Sequence, residues 1–290
     1  MLETKRYLGL ELAGAKNQKS SLAAIQYYPR EGKTFLLDIF DRITHHDDQT
    51  GDEALLELIH EENASHDAVL GVNVSLELPP CIVCEKKVCP QFTHCNVPAM
   101  KWAREWTQKI AKKTGKSIKL KEYTPYTQRP VELWIRYHIL PQLPPSHHFE
   151  IDETLGGNRA PLTARMHYLK RHLQKIPLLE AWPKLTVAIL AAQLDVPRRI
   201  ISSYRQLEDG AYSREIILNH LVGRFGLFVY ERDMRKLSQS LTAFDAFICA
   251  LTALLSDQGL CDRIPKSFPE SSGWVHYPNL SLKKAESKTT

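Results

Sequence analysis

The sequence predicts an α/β protein: a mixed five-stranded sheet flanked by helices, with a central cysteine-rich and helical insertion. Three observations predict it. The first eighty residues pass from a two-residue apolar period to a helical one and back, giving the order β-β-β-α-β. A strongly apolar helix, LTAFDAFICALTALL, lies near the end. Between the two, four cysteines and a lysine-rich helix interrupt the alternation.

Each element follows from local pattern. RYLGLELAG reads as a strand with Leu8, Leu10 and Leu12 on one face and Gly9, Glu11 and Ala13 on the other. SSLAAIQYY and TFLLDIFDRI are two more strands, joined through the hairpin loop PREGK. THHDDQT, which contains His45, His46, Asp47 and Asp48, reads as a polar loop before the amphipathic helix DEALLELIHEE. HDAVLGVNVSLELPP is the fourth strand, stopped by Pro79 and Pro80. PAMKWAREWTQKIAKKTGK is a helix with Trp102, Trp106 and Ile110 on one face. RPVELWIRYHILPQL is a second helix with Pro130 in its first turn, and GGNRAPLTARMHYL is a glycine loop entering a third. KIPLLEAW is the fifth strand, and residues 185 to 225 read mostly helical. The simplest organisation is one domain over residues 1–284, an insertion at about 79–150, and a frayed tail at 285–290.

Composition narrows the function classes. The chain has 290 residues and 43% hydrophobic residues, enough for a substantial core. No apolar run approaches the ~20 residues that span a bilayer, so no membrane partner is expected. MLETKRYLGLELAG lacks the regions of a signal peptide, and the expected location is the cytoplasm. In that reducing setting clustered cysteines read as metal ligands or thiols rather than disulfides. Net charge is +5, yet Lys101 to Lys121 holds eight basic residues against the single acid Glu105. The remainder is therefore close to neutral.

Three carboxylates stand where charge is costly. Glu11 is the only charge between Arg6 and Lys16, and Asp245 the only one between Lys236 and Asp257. Glu180, in PLLEAW, is a weaker third case. A solvent-facing edge would explain any one of them. Convergence of strand one with the last helix would instead let Glu11 and Asp245 hold Mg²⁺ or Mn²⁺, hard cations that prefer oxygen donors.

The stretch CIVCEKKVCPQFTHC places Cys81, Cys84, Cys89 and Cys95 at C-x2-C-x4-C-x5-C, close to a zinc knuckle with Cys replacing His. Four thiolates suit a closed structural Zn²⁺ site. An iron–sulfur cluster or free thiols are the alternatives. Lys112 and Lys113, in the lysine-rich stretch, are candidates for phosphate contacts, with a solvated helix face as the plain alternative. Gly157, Arg159 and Arg165 could bind an anion at a helix start, or form a tight turn with surface arginines.

YLGLELAG, AVLGVNVSLELPP, TPYTQRPVELW, GGNRAPLTARMHYL, PLLEAWP and FDAFICALTALL together resemble the family known as domain of unknown function 429, predicted nucleases of ribonuclease H-like fold. The resemblance runs from about residue 7 to 255. It implies a strand-one carboxylate, a strand-four carboxylate and one on the last helix holding catalytic metals. These positions fall on Glu11, Asn73 and Asp245, with Asn73 where Asp is frequent. Glu180 is then the candidate third carboxylate. The expected function is a metal-dependent nuclease. The alternative is a catalytically degenerate nucleic-acid-binding or regulatory protein stapled by zinc.

Overall fold

The computed structural model of the protein describes residues 4–14, 19–45, 48–64, 67–115, 122–206 and 209–281. His46, Asp47, Lys116, Lys119, Lys121 and the tail at 285–290 lie outside them. The described residues form an α/β structure with a mixed seven-stranded sheet, in the order β6-β3-β2-β1-β4-β5-β7.

The strands are β1 (Lys5–Glu11), β2 (Ser20–Tyr28), β3 (Lys33–Ile43), β4 (Ala68–Val72), β5 (Leu178–Ala181), β6 (Leu227–Phe228) and β7 (Val275–His276). Only β2 runs antiparallel to its neighbours. The five central strands are the five expected. The two extra edge strands have two residues each, too few for a periodic signal, and their pairing comes from tertiary contact. The fourth strand ends at Val72 rather than running to the Pro-Pro stop, so Asn73 stands just past its end.

The helices are α1 (Gly51–Ala64), α2 (Gln91–His94), α3 (Pro98–Thr114), α4 (Pro130–Trp134), α5 (Arg159–Lys170), α6 (Pro183–Gln193), α7 (Arg198–Ser203), α8 (Gly210–Phe225), α9 (Glu231–Gln239) and α10 (Leu241–Asp257). Pro98 enters α3 and Gly115 ends it at φ 64°, each placed where it costs the helix least. The single helix expected over 129–143 divides instead into α4, a π-helical turn at Ile135–Ile139 and a 3₁₀ turn at Leu140–Gln142. Pro141 has no N–H to continue the ladder. Among the described residues no single helix is long and apolar enough to cross a membrane.

The sheet separates two cores. On one face Leu8, Leu10, Leu22, Leu70 and Val72 pack with α1 and α5. On the other Tyr7, Ala23, Ile25 and Leu36 pack under α10. Every residue of α10 from Ala243 to Leu255 is buried, because the helix lies between the sheet and the outer helices. Ser240 caps its start, its Oγ accepting from the Ala243 N–H at 3.2 Å.

Two glycines set how closely α10 approaches. A Cβ on Gly9 would stand 2.0 Å from the Ala246 carbonyl oxygen, and one on Gly71 2.5 Å from that of Cys249. Gly9 and Gly71 are direct partners in the β1–β4 ladder. This glycine pair lets the helix backbone rest on β1 and β4.

Candidate functional site

Strand parity carries the argument from those glycines to the site. Side chains two apart share a face. Glu11 is two residues beyond Gly9 and Asn73 two beyond Gly71, so both reach the α10 side, next to each other, where the ladder ends. Asp245 immediately precedes the Ala246 that Gly9 admits. Asn73 Nδ2 donates to Glu11 Oε2 at 2.5 Å. Burial, then the neighbouring Asp245 charge, pushes the Glu11 carboxyl up to about 8, against lowering by Asn73, Arg159 and Arg205. Glu11 therefore lies at the end of its strand, where the Asp245 charge acts on it.

Asp245 is almost wholly buried, and Arg205 covers it. Arg205 Nη1 donates to both carboxylate oxygens, at 3.1 and 2.9 Å. Burial raises the Asp245 carboxyl, and the Arg205 charge opposes that. Arg159, the first residue of α5, donates from Nη2 to the Asn73 carbonyl at 3.0 Å. Glu11, Asn73, Arg159 and Arg205 open onto a cavity of about 110 Å³, also lined by Phe149, Asp152, Trp182 and Lys184, with Asp245 behind Arg205. Lys184 pairs with Asp152 at 3.0 Å across part of that lining.

Glu180 does not join them. It pairs with Val72 in the β4–β5 ladder, and Val72 belongs to the opposite core. The positions of β5 on the α10 side are Leu179 and Ala181. Glu180 instead takes both arms of Arg129, from Nη1 at 2.8 Å and Nη2 at 2.7 Å. It also accepts from Trp182 Nε1 at 2.9 Å and the Leu76 N–H at 3.1 Å. Glu132 holds the same Arg129 and accepts from Thr154. Its acceptors thus occupied, Glu180 is a structural anchor rather than a third site carboxylate.

The other candidates divide similarly. Arg165 is engaged by Asp52 at 2.7 Å and by the Ala13 carbonyl, so it ties α5 to α1 and the end of β1 rather than clamping a phosphate. Gly157 is an exposed turn residue at φ 47°, outside the cavity lining. Lys112 and Lys113 are exposed on the last turn of α3 and do not line it either. Trp102 and Trp106 stack on each other at 5.3 Å and meet Trp134, so both are packed in an aromatic cluster.

The cysteine loop runs from the Pro-Pro stop to α3 with only α2 as regular structure. Cys95 is buried, Cys81 half-buried, Cys84 and Cys89 exposed. Burial raises the Cys81 thiol, and nearby Cys89, Cys84 and Cys95 add to it. Among the described residues no three His, Cys, Asp or Glu side chains form a group that could hold a metal ion.

Phe149, Asp152, Trp182, Lys184 and Arg205 were not expected at the site. Trp182 lies in the PLLEAWP stretch and Lys184 directly follows it, so both were within reach of a sequence signal. Arg205 sits in a turn after α7 with no periodicity to mark it. Compared with protein families, curated proteins and solved structures, the chain shows no match.

Proposed function

We propose that the cavity at Glu11 and Asn73, with Asp245 behind Arg205, is the active site of a metal-dependent phosphodiesterase acting on nucleic acid, in a ribonuclease H-like fold. One observation carries the reading: ladder register sets the isolated strand-one carboxylate Glu11 beside Asn73 on a cavity that also holds Arg159, Lys184 and Arg205, and Arg205 joins it to the isolated last-helix carboxylate Asp245. The β-β-β-α-β opening supports the fold.

The donor chemistry suits Mg²⁺ or Mn²⁺. Two desolvated carboxylates, with the Asp245 charge adding to the cost of ionising Glu11, are a place where a hard cation gains most. Glu11 and Asp245 would hold it, with the Asn73 side-chain oxygen as a neutral third donor. Bound there, the cation supplies Lewis-acid stabilisation and an activated water. Arg159 and Lys184 offer positive charge to a phosphate, while Trp182 and Phe149 give apolar walls beside it. The test is cleavage of mixed DNA and RNA substrates with Mn²⁺. Activity in wild type that disappears in both Glu11→Gln and Asp245→Asn supports the reading. Activity indifferent to both substitutions sinks it.

The second reading, a nucleic-acid-binding protein without turnover, is favoured by Asn73 and by the Arg205 pair on Asp245, which together lower the site's negative charge. It predicts binding without cleavage in the same assay.

For the cysteine loop the proposed metal is structural Zn²⁺ on Cys81, Cys84, Cys89 and Cys95. The three thiols felt by Cys81 support it. So do the exposed Ile82, Val83 and Val88, which leave the middle of the loop outside the apolar cluster that packs Cys81, Phe92 and Cys95. Metal binding would then be coupled to drawing the thiols together. Elemental analysis of protein purified without added metal should find about one zinc per chain. Iron with visible absorbance would indicate a cluster instead.

A further inference from the structure

Arg129 and Arg205 each neutralise a buried carboxylate, and they do so differently. Arg129 gives one nitrogen to each oxygen of Glu180 and is wholly buried. Arg205 spans both oxygens of Asp245 with a single nitrogen, and a third of its side chain is exposed. A one-nitrogen contact lacks the parallel fork that makes an arginine–carboxylate pair strong. Arg205 also lines the cavity, beside Arg159 and Lys184. A phosphate entering there meets it directly.

Asp245 cannot be left alone. Its carboxylate is 1% exposed on a helix whose neighbours are apolar. An unpaired charge there is strongly unfavourable, so withdrawal of Arg205 calls for a proton or another cation on Asp245. Glu11 lies beside it to share that cation. The other cavity cations bond elsewhere, Arg159 to the Asn73 carbonyl and Lys184 to Asp152, so neither stands in for Arg205 on Asp245.

We propose that Arg205 is a displaceable counter-ion for Asp245, so that a phosphate-bearing ligand and a divalent cation enter this cavity cooperatively. The ligand's phosphate draws the guanidinium off the carboxylate, and the freed Asp245 joins Glu11 in holding the cation. Without ligand, Arg205 competes with the cation and keeps its occupancy low. The inference rests on the active-site reading above and adds the order and coupling of binding.

The experiment is Mn²⁺ binding to the full chain, read by the electron paramagnetic resonance of free Mn²⁺, with and without thymidine monophosphate. A parallel titration without protein corrects for Mn²⁺ bound by the nucleotide. In the wild type the nucleotide should tighten Mn²⁺ binding about tenfold, within the usual range of coupling between sites. Arg205→Gln should bind Mn²⁺ about tenfold more tightly without nucleotide, and nucleotide should then add little. Equal wild-type affinity with and without nucleotide overturns the proposal. So does an Arg205→Gln protein that keeps the full nucleotide effect. The wild-type measurement needs no variant, so poor folding of Arg205→Gln leaves the proposal open to refutation. Asp245→Asn and Glu11→Gln separate the two ideas. If they abolish Mn²⁺ binding while Arg205→Gln does not tighten it, the counter-ion role alone fails. If Mn²⁺ binds equally well in their absence, the active-site reading fails with it.

Discussion

Arg129–Glu132–Glu180 and Arg205–Asp245–Glu11 are both buried clusters of charge, and both sit at the carboxyl ends of central strands. The first is sealed. Arg129 is fully buried, and the two carboxylates also take hydrogen bonds from Trp182, Leu76 and Thr154. The second opens on a cavity, has a partly exposed arginine, and leaves Glu11 with a carboxyl near 8. Saturated hydrogen bonding makes a buried charge cluster a fixed point of the fold. Unsaturated charge facing a cavity makes one reactive. The two are joined: Glu180 holds Trp182, which walls the cavity, and Leu76, which follows Asn73.

Breaking the comparison takes substitutions on each side. The largest expected effect is on activity. Glu11→Gln and Asp245→Asn should each reduce Mn²⁺-dependent cleavage to background while circular dichroism is unchanged. Arg129→Ala should lower stability by ~3–5 kcal/mol in chemical denaturation, because it strands two buried carboxylates. A smaller effect links pH to the open cluster. The folded Glu11 carboxyl lies near 8 against an ordinary value of 4.5. The folded state therefore binds more protons between those values, and stability falls as pH rises through them. Glu11→Gln removes that slope. Its stability relative to wild type should improve by up to ~3 kcal/mol from pH 5 to pH 8, measured by denaturant titration at each pH. Smallest is the paired change Lys112→Gln and Lys113→Gln. Both side chains are exposed, so stability should move by less than ~0.5 kcal/mol. If α3 tracks a nucleic-acid backbone, the salt dependence of binding should become shallower by about two charges.

Glu11 and Asp245 were legible because a lone charge inside an apolar period is visible without a structure. Glu180 was equally visible, and its oddity was real, but its use was not legible. Strand alternation is local, whereas the face a strand presents depends on register with its neighbour. A shift of one residue moves a side chain to the opposite core. Val72 opposite Glu180, rather than Asn73, decides the matter. Arg165 shows the same limit. A basic residue after a glycine turn suits a phosphate, but here Asp52, more than a hundred residues away in the chain, claims it. The edge strands β6 and β7 were too short to carry any pattern.

By itself the sequence determined the order of the central strands, the apolar α10, the two isolated acids and the four-cysteine loop. These depend on the periodicity and spacing of neighbouring residues, which need no partner to be read. Tertiary structure alone decided that Gly9 and Gly71 pair to admit α10, that Glu11 and Asn73 therefore stand together against Asp245, and that Arg205 answers Asp245 while Arg129 answers Glu180. Ion pairs and ladder registers join residues far apart in the chain. A charge's role is settled by which opposite charge folding places beside it, and by whether water and ligand can still reach the pair.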